Sequence, residues 1–249
     1  MRNIFSELFG GPRYIPAGRV DFASANLPEY AGCYAKIIDS LFTKPELTAI
    51  LAAAEAYSPW DVAQINSGIP GHALTNTSYR NGERIIYDSA ELSASIFAKV
   101  RPHLADIEEI ERVEYVEGVK MLQKWRMVRL NERLRFLRYP VGGFFKKHID
   151  GAYENEETGQ RTFYTLQFYL PSDASGSHDS FKAAKGGTTR FIGRKGAYAD
   201  VAANPGRVLV FQHATLLHTG EEVTDGVKCA VRSDVLYEKV GSPVPLKKR

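Results

Sequence analysis

The N-terminal thirty residues are punctuated by Gly10, Gly11, Pro12, Pro16, Gly18 and Pro28, and no regular hydrophobic period runs through them. From Tyr34 the apolar run AKIIDSLF predicts a strand. Thr43-Lys-Pro-Glu46 then has the form of a capping box with proline in the first turn, so Leu47–Ala56 is expected to be helical. Residues 59–86 are polar and rich in turn formers, which predicts a surface loop. A second helix fits Ala90–Leu104, opened by Asp88 or Ser89, because Leu92, Ile96, Phe97 and Val100 recur at helical spacing.

The pattern changes after about residue 118. Short β-branched and aromatic segments alternate with glycine-rich turns. They predict strands at Leu134–Tyr139, Phe144–His148, Thr162–Leu170, Thr188–Ile192, Arg207–Phe211 and Lys228–Tyr237. Many short strands without intervening helices favour a sandwich or barrel over βαβ units. The expected fold is α+β, mainly β: helices packed against a double-stranded β-helix, or jelly roll. One domain over 1–249 is expected, with a helical and loop support region at 1–117, the jelly-roll core at 118–240 and a solvated tail at 241–249.

Composition narrows the function classes. Of 249 residues, 44% are hydrophobic and 24% charged, which suits a soluble globular domain with a real core. A formal charge of +3 is too slight to argue for nucleic acid or membrane partners, and neither is expected. Cys33 and Cys229 match no zinc or redox spacing, which favours a reducing, cytoplasmic setting. The start of the chain lacks a long apolar run and a cleavage site, so no signal peptide is expected, and no run of apolar residues is long enough to span a bilayer.

The chemistry concentrates in the strand-rich region. In a strand, His148 and Asp150 of His-Ile-Asp would share a face and could offer two neighbouring ligands to one metal. Alone this pair is weak evidence, since a surface His beside a surface Asp is common. A third ligand is available in VLVFQHATLLHTG, at His218 or its rival His213. Two His and one carboxylate form the facial triad of non-haem iron(II) oxygenases, which leaves positions open for co-substrate and dioxygen. Lys228 follows His218 by ten residues, and Arg232 shares its strand face. A dicarboxylate bound to iron at one end needs a cation at the other. Lys228 is the first choice and Arg232 the second, although surface charge is the commoner fate of both residue types.

These segments together resemble the 2-oxoglutarate/Fe(II) oxygenase superfamily, in its prolyl 4-hydroxylase-like branch. The resemblance rests on RYPVGGFFKKHID, RTFYTLQFYL, GGTTRF and PGRVLVFQHATLLHTGEEVTDGVKCAVRSDVLY, in that order, over about residues 134–237. It implies that His148, Asp150 and His218 bind iron and that Lys228 holds the distal carboxylate of 2-oxoglutarate. It implies that Tyr139 and Tyr169 line the co-substrate pocket and that Thr189 lies in the Gly-Gly-x-Thr strand beside it. Thr165 and Gln167 share a face with Tyr169 and would look into the barrel. Arg232 departs from the pattern, being bulkier than the small residue found there in animal prolyl hydroxylases. The implied cofactors are Fe(II) and 2-oxoglutarate, with ascorbate as a candidate further reductant. The implied reaction releases succinate and carbon dioxide and hydroxylates or otherwise oxidises an unactivated C–H bond.

The substrate is expected to be either a peptidyl residue such as proline or a small molecule. Segment 71–87 is expected to be a mobile lid over the barrel mouth, hinged at Gly68, Pro70, Gly71 and Gly82. Arg80 and Arg84 are its candidate substrate-binding residues, Arg84 the better of the two. Arg135 and Arg138 flank Tyr139 and are expected to face away from the pocket. Two other classes remain open on sequence alone. One is a non-catalytic, cupin-like metal-binding jelly roll; the other is a nucleic-acid demethylase on the same scaffold, against which the slight charge argues.

Overall fold

The computed structural model describes residues 14–66 and 73–246. The elements that position the site are strand β1 (Ala35–Ile38), helix α1 (Lys44–Tyr57), strands β2 (Arg80–Asn81) and β3 (Glu83–Asp88), and helix α2 (Ala90–Val100). Then follow β4 (Glu109–Val116), β5 (Val119–Leu130), β6 (Arg133–Tyr139), β7 (Phe144–His148), β8 (Arg161–Leu170) and β9 (Thr189–Ile192). The last are β10 (Tyr198–Val201), β11 (Val208–Gln212), β12 (His218–Gly220) and β13 (Lys228–Pro245).

Among the described residues, two antiparallel sheets form the jelly roll. The large one has ten strands, with the run β1-β11-β8-β13-β6-β3 at its centre. The small one has five, in the order β10-β9-β12-β7-β2. Each central strand of the large sheet alternates between two buried environments, as the two-residue period of a strand requires. Leu134 and Phe136 of β6, Leu166 and Phe168 of β8, and Val231 and Val235 of β13 face a core shared with α1 and α2. Tyr169, Leu209, Phe211 and Ala230 face the opposite way, into a second core with Phe191. Function sits on this inner side.

Local signals hold where they were strongest. Thr43 accepts from the Glu46 N–H while the Glu46 carboxylate accepts from the Thr43 N–H, the expected capping box. Ser89, not Asp88, caps α2, whose last expected turn is a 3₁₀ segment, Arg101–Ile107. The surface loop expected at 59–86 needs correction. Glu83–Asp88 pairs residue for residue with β6, and Ile85 is buried in the helix-side core. Its short apolar run is a strand edge, and polar neighbours disguised it. Of the expected lid hinges, Gly68, Pro70 and Gly71 lie outside the described residues.

The hairpin β4–β5 was not anticipated. Its turn is Glu117-Gly118, both with positive φ, the signature of a two-residue hairpin turn. The tail expected from 241 also changes, because β13 continues to Pro245 by pairing with β5. None of the described helices is long and apolar enough to cross a membrane.

Candidate metal and co-substrate site

The site forms where the small sheet closes over the inner face of β6, β8 and β13. His148 ends β7 and His218 begins β12, and the two residues are register partners. Asp150 lies two residues past the end of β7, not in the strand as its spacing suggested. Its side chain still turns inward, while Ile149 between them is exposed. One donor atom from each of His148, Asp150 and His218 lies within 4.8 Å of the others.

The hydrogen bonds around this triad fit a metal. His148 Nδ1 is 2.8 Å from the Lys146 carbonyl, and His218 Nδ1 is 3.0 Å from the Leu216 carbonyl. A carbonyl only accepts, so each Nδ1 carries the proton and each Nε2 keeps its lone pair. Those Nε2 atoms sit 3.8 and 3.9 Å from the Asp150 carboxylate oxygens. Burial and the neighbouring His218 lower the His148 pKa to about 3, and burial lowers that of His218. Both rings are therefore neutral, the form a metal binds. Burial opposes the charge on Asp150, but Arg232, His218 and His148 outweigh it and hold its pKa well below the usual carboxylate range. Thr165 donates to Asp150 Oδ2 at 2.6 Å, so this threonine steadies the carboxylate. Phe145 stacks on His148 with centroids 3.7 Å apart, and Phe211 meets His218 edge-on at 4.9 Å.

His213, the rival ligand, lies elsewhere. Its Nε2 is 3.4 Å from Asp234 Oδ1, and Asp234 is not one of the three residues that come together as possible ligands.

The second half of the site is cationic. Lys228 is 6% exposed, and no carboxylate pairs with it among the described residues. Its Nζ lies 5.6 Å from the centres of both the Tyr139 and Tyr169 rings. Burial and the nearby Arg80 push its pKa down to about 8. The Tyr169 hydroxyl is 2.8 Å from Thr189 Oγ1, which also accepts from Gln167 Nε2 at 3.1 Å.

Arg80 belongs here too. Pairing of β2 with β7 carries it inward, where it donates to the Tyr139 hydroxyl at 3.1 Å and to the Gln64 carbonyl at 3.2 Å. It lines the pocket, whereas Arg84 bonds to Gln64 outside it. The expectation of a lid carrying both arginines is corrected for these residues, since each sits in a strand.

Arg232 lines the same pocket but at the metal end, with Nη2 3.2 Å from Asp150 Oδ1. Arg135, expected to face away, lines it as well. It is four residues from Tyr139 and so on the same strand face. Only Arg138 turns outward, to Glu83 at 2.7 Å. The sequence signal for Arg135 was its parity with Tyr139.

The family model of the 2OG-Fe(II) oxygenase superfamily matches residues 134–233, the span that carries this whole constellation apart from Arg80 and Asp234. Residues 134–233 belong to the 2OG-Fe(II) oxygenase superfamily. The oxygenase fold extends over most of the chain. A prolyl hydroxylase from Trichoplax adhaerens, in complex with a hypoxia inducible factor oxygen degradation domain peptide fragment, aligns over 86% of this chain and 89% of its own at 12% identity, with a TM-score of 0.54. A Pseudomonas putida prolyl-4-hydroxylase aligns over 85% and 97% at 13% identity, with a TM-score of 0.52. An oxidoreductase of the 2OG-Fe(II) oxygenase family from Burkholderia pseudomallei aligns over 90% and 95% at 12% identity, with a TM-score of 0.50. At these identities the likeness is one of fold. No relative among curated proteins matches by sequence. The oxygenase is a 2-oxoglutarate-dependent dioxygenase with a prolyl 4-hydroxylase-like jelly roll.

Proposed function

We propose that His148, Asp150 and His218 hold the ferrous ion and that Lys228 binds the distal carboxylate of 2-oxoglutarate. The observation that carries this reading is the pairing of a metal-ready triad with a buried lysine that has no counter-ion among the described residues. Burying an unpaired ammonium is costly, and an arriving carboxylate offsets that cost. Iron and 2-oxoglutarate, when bound, would supply oxidation of an unactivated C–H bond by dioxygen, one oxygen atom going to the substrate and the other to succinate as carbon dioxide is released.

The protein's share is positioning and exclusion of water. Thr165 and Arg232 orient the Asp150 carboxylate, and the two backbone carbonyls orient the imidazoles. Tyr139, fixed by Arg80, and the Tyr169–Thr189 pair shape the co-substrate end around Lys228. Phe145 and Phe211 wall the imidazoles from solvent, which strengthens every charge interaction inside. Arg232 is set apart from the distal carboxylate. It lies four residues from Lys228 along one strand face, about 13 Å at strand rise. A five-carbon diacid anchored at the metal reaches one of these cations, not both.

The primary substrate is a peptidyl residue, as the Trichoplax complex illustrates, or a small molecule. Ascorbate enters as an external reductant that keeps the iron ferrous. A reducing, cytoplasmic setting suits Cys33 and Cys229, both free thiols.

Anaerobic addition of Fe(II) and 2-oxoglutarate should produce the weak visible charge-transfer absorption of the chelate, and oxygen should then yield succinate. Metal binding without that absorption would favour a non-catalytic metal-binding jelly roll.

A further inference from the structure

The inner faces of β6 and β13 carry charge at two levels. Tyr139 pairs with Lys228 at one, Leu137 with Ala230 in the middle, and Arg135 with Arg232 at the other. The Lys228 level is assigned above to 2-oxoglutarate. The Arg135–Arg232 level, beside the metal triad, has no assigned ligand.

Its residues form an ionic cluster in which two half-buried arginines meet buried carboxylates. Arg232 Nη2 lies 3.2 Å from Asp150 Oδ1 and 3.3 Å from Asp234 Oδ1, and Arg135 Nη1 lies 3.1 Å from Asp234 Oδ2. His213 Nε2 is 3.4 Å from Asp234 Oδ1. Among the described residues, Arg232 Nε and His213 Nδ1 are buried without a hydrogen-bond partner. Buried donors of this kind are rare unless a ligand or water completes them.

Charge counting points to what that ligand is. Arg135 and Arg232 are balanced by Asp234 and Asp150 only while no metal is bound. A divalent ion at the triad claims the Asp150 charge and the chelating carboxylate of 2-oxoglutarate offsets the rest of the ion's charge, which leaves Arg135, Arg232 and Asp234 with one net positive charge. An anion restores neutrality there. A guanidinium fork matches a carboxylate in shape as well as charge. The pyrrolidine ring of a peptidyl proline, by contrast, would leave the excess positive charge desolvated and uncompensated.

We propose that the primary substrate is a small carboxylic acid whose carboxylate docks on Arg232 and Arg135, presenting a nearby C–H bond to the metal site. This rests on the oxygenase reading above.

The test uses the anaerobic Fe(II)/2-oxoglutarate protein. Binding is followed by calorimetry and by perturbation of the charge-transfer absorption. The probes are paired: butyrate with butyramide, benzoate with benzamide, L-proline with L-prolinamide, and a proline-containing peptide blocked at both ends. At least one acid should bind roughly tenfold or more tightly than its amide. Arg135→Gln and the charge-conserving Arg232→Lys should weaken that acid by a similar factor, while in Arg135→Gln, which does not touch Asp150, the Kd for 2-oxoglutarate moves far less. Acids and amides binding alike, no acid binding, or binding of the blocked peptide alone would overturn the proposal. So would parallel loss of 2-oxoglutarate and acid in both variants, which would assign the level to the co-substrate. Absence of the charge-transfer absorption in the unmodified protein is a different failure, and it would sink the oxygenase reading itself.

Discussion

Arg232 bridges two buried carboxylates, with Nη2 3.2 Å from Asp150 Oδ1 and 3.3 Å from Asp234 Oδ1. Burial works against the Arg232 charge, and Asp150 and Asp234 outweigh it, so the guanidinium stays protonated. Arg232→Met leaves both carboxylates short of a partner. Removing one member of a buried pair costs about 3–5 kcal/mol. The metal-free variant should therefore melt well below the unmodified protein. Because a divalent ion replaces the missing charge at Asp150, the rise in Tm on adding Mn(II) should be larger in the variant. An equal or smaller rise would mean that Arg232 does not act through Asp150.

His218→Ala should weaken divalent-metal binding by roughly a hundredfold or more, beyond the loss typical of outer-sphere changes. His148→Ala and Asp150→Ala should do the same, and all three should abolish succinate formation. His213→Ala should retain metal binding, since its ring meets Asp234 and not the triad. Metal titrations followed by calorimetry decide this. Metal loss in His213→Ala with retention in His218→Ala would reverse the assignment.

Lys228 gives a pH dependence of definite sign. Its ordinary pKa of 10.5 falls to about 8 in the fold, through burial and then Arg80. Below pH 8 it is charged and competent to bind a carboxylate. As pH rises through 8 the empty site loses that proton, so the apparent affinity for 2-oxoglutarate should fall and binding should take up a proton. Stability of the co-substrate-free protein runs the other way. A lowered folded pKa on a base means that burying the charge costs stability, fully below about pH 8. That cost is relieved between pH 8 and 10.5, by about 3 kcal/mol at most. Lys228→Arg, if it folds, should flatten the affinity profile, because arginine stays charged. A profile for the unmodified protein that is level from pH 7 to 9 would exclude Lys228 as the carboxylate partner.

Gly82 holds the Tyr139 ring in place by having no side chain. A Cβ there would lie 2.5 Å from Tyr139 Cδ1 and 3.1 Å from the Arg138 carbonyl oxygen. Gly82→Ala should displace the ring that packs against Lys228 and bonds to Arg80. The 2-oxoglutarate concentration for half-maximal turnover should rise several-fold, with metal affinity little changed. A rise in metal Kd of the same size would instead indicate a general loosening of the barrel.

The sequence determined what depends on neighbours along the chain. β-Branched and aromatic segments bounded by glycine-rich turns placed β6, β7, β8 and β13 to within a residue or two at most ends, and the Thr43–Glu46 reciprocity placed the start of α1. The order of His148, Asp150 and His218 was legible too, because the two histidines, the carboxylate and the basic residue ten places after His218 lie in one continuous strand-rich stretch. Tertiary structure decided what depends on partners far away in the chain. Arg80 reads as part of a polar loop until β2 pairs with β7 and turns it into the pocket. Arg135 and Arg232 are ninety-seven positions apart, and only the β6–β13 register sets them side by side. Periodicity says which face a residue takes, but two faces meet only when backbone hydrogen bonds choose one register over the others. The pairing of Arg135 with Arg232 beside the His148–Asp150–His218 triad therefore became visible only in the fold.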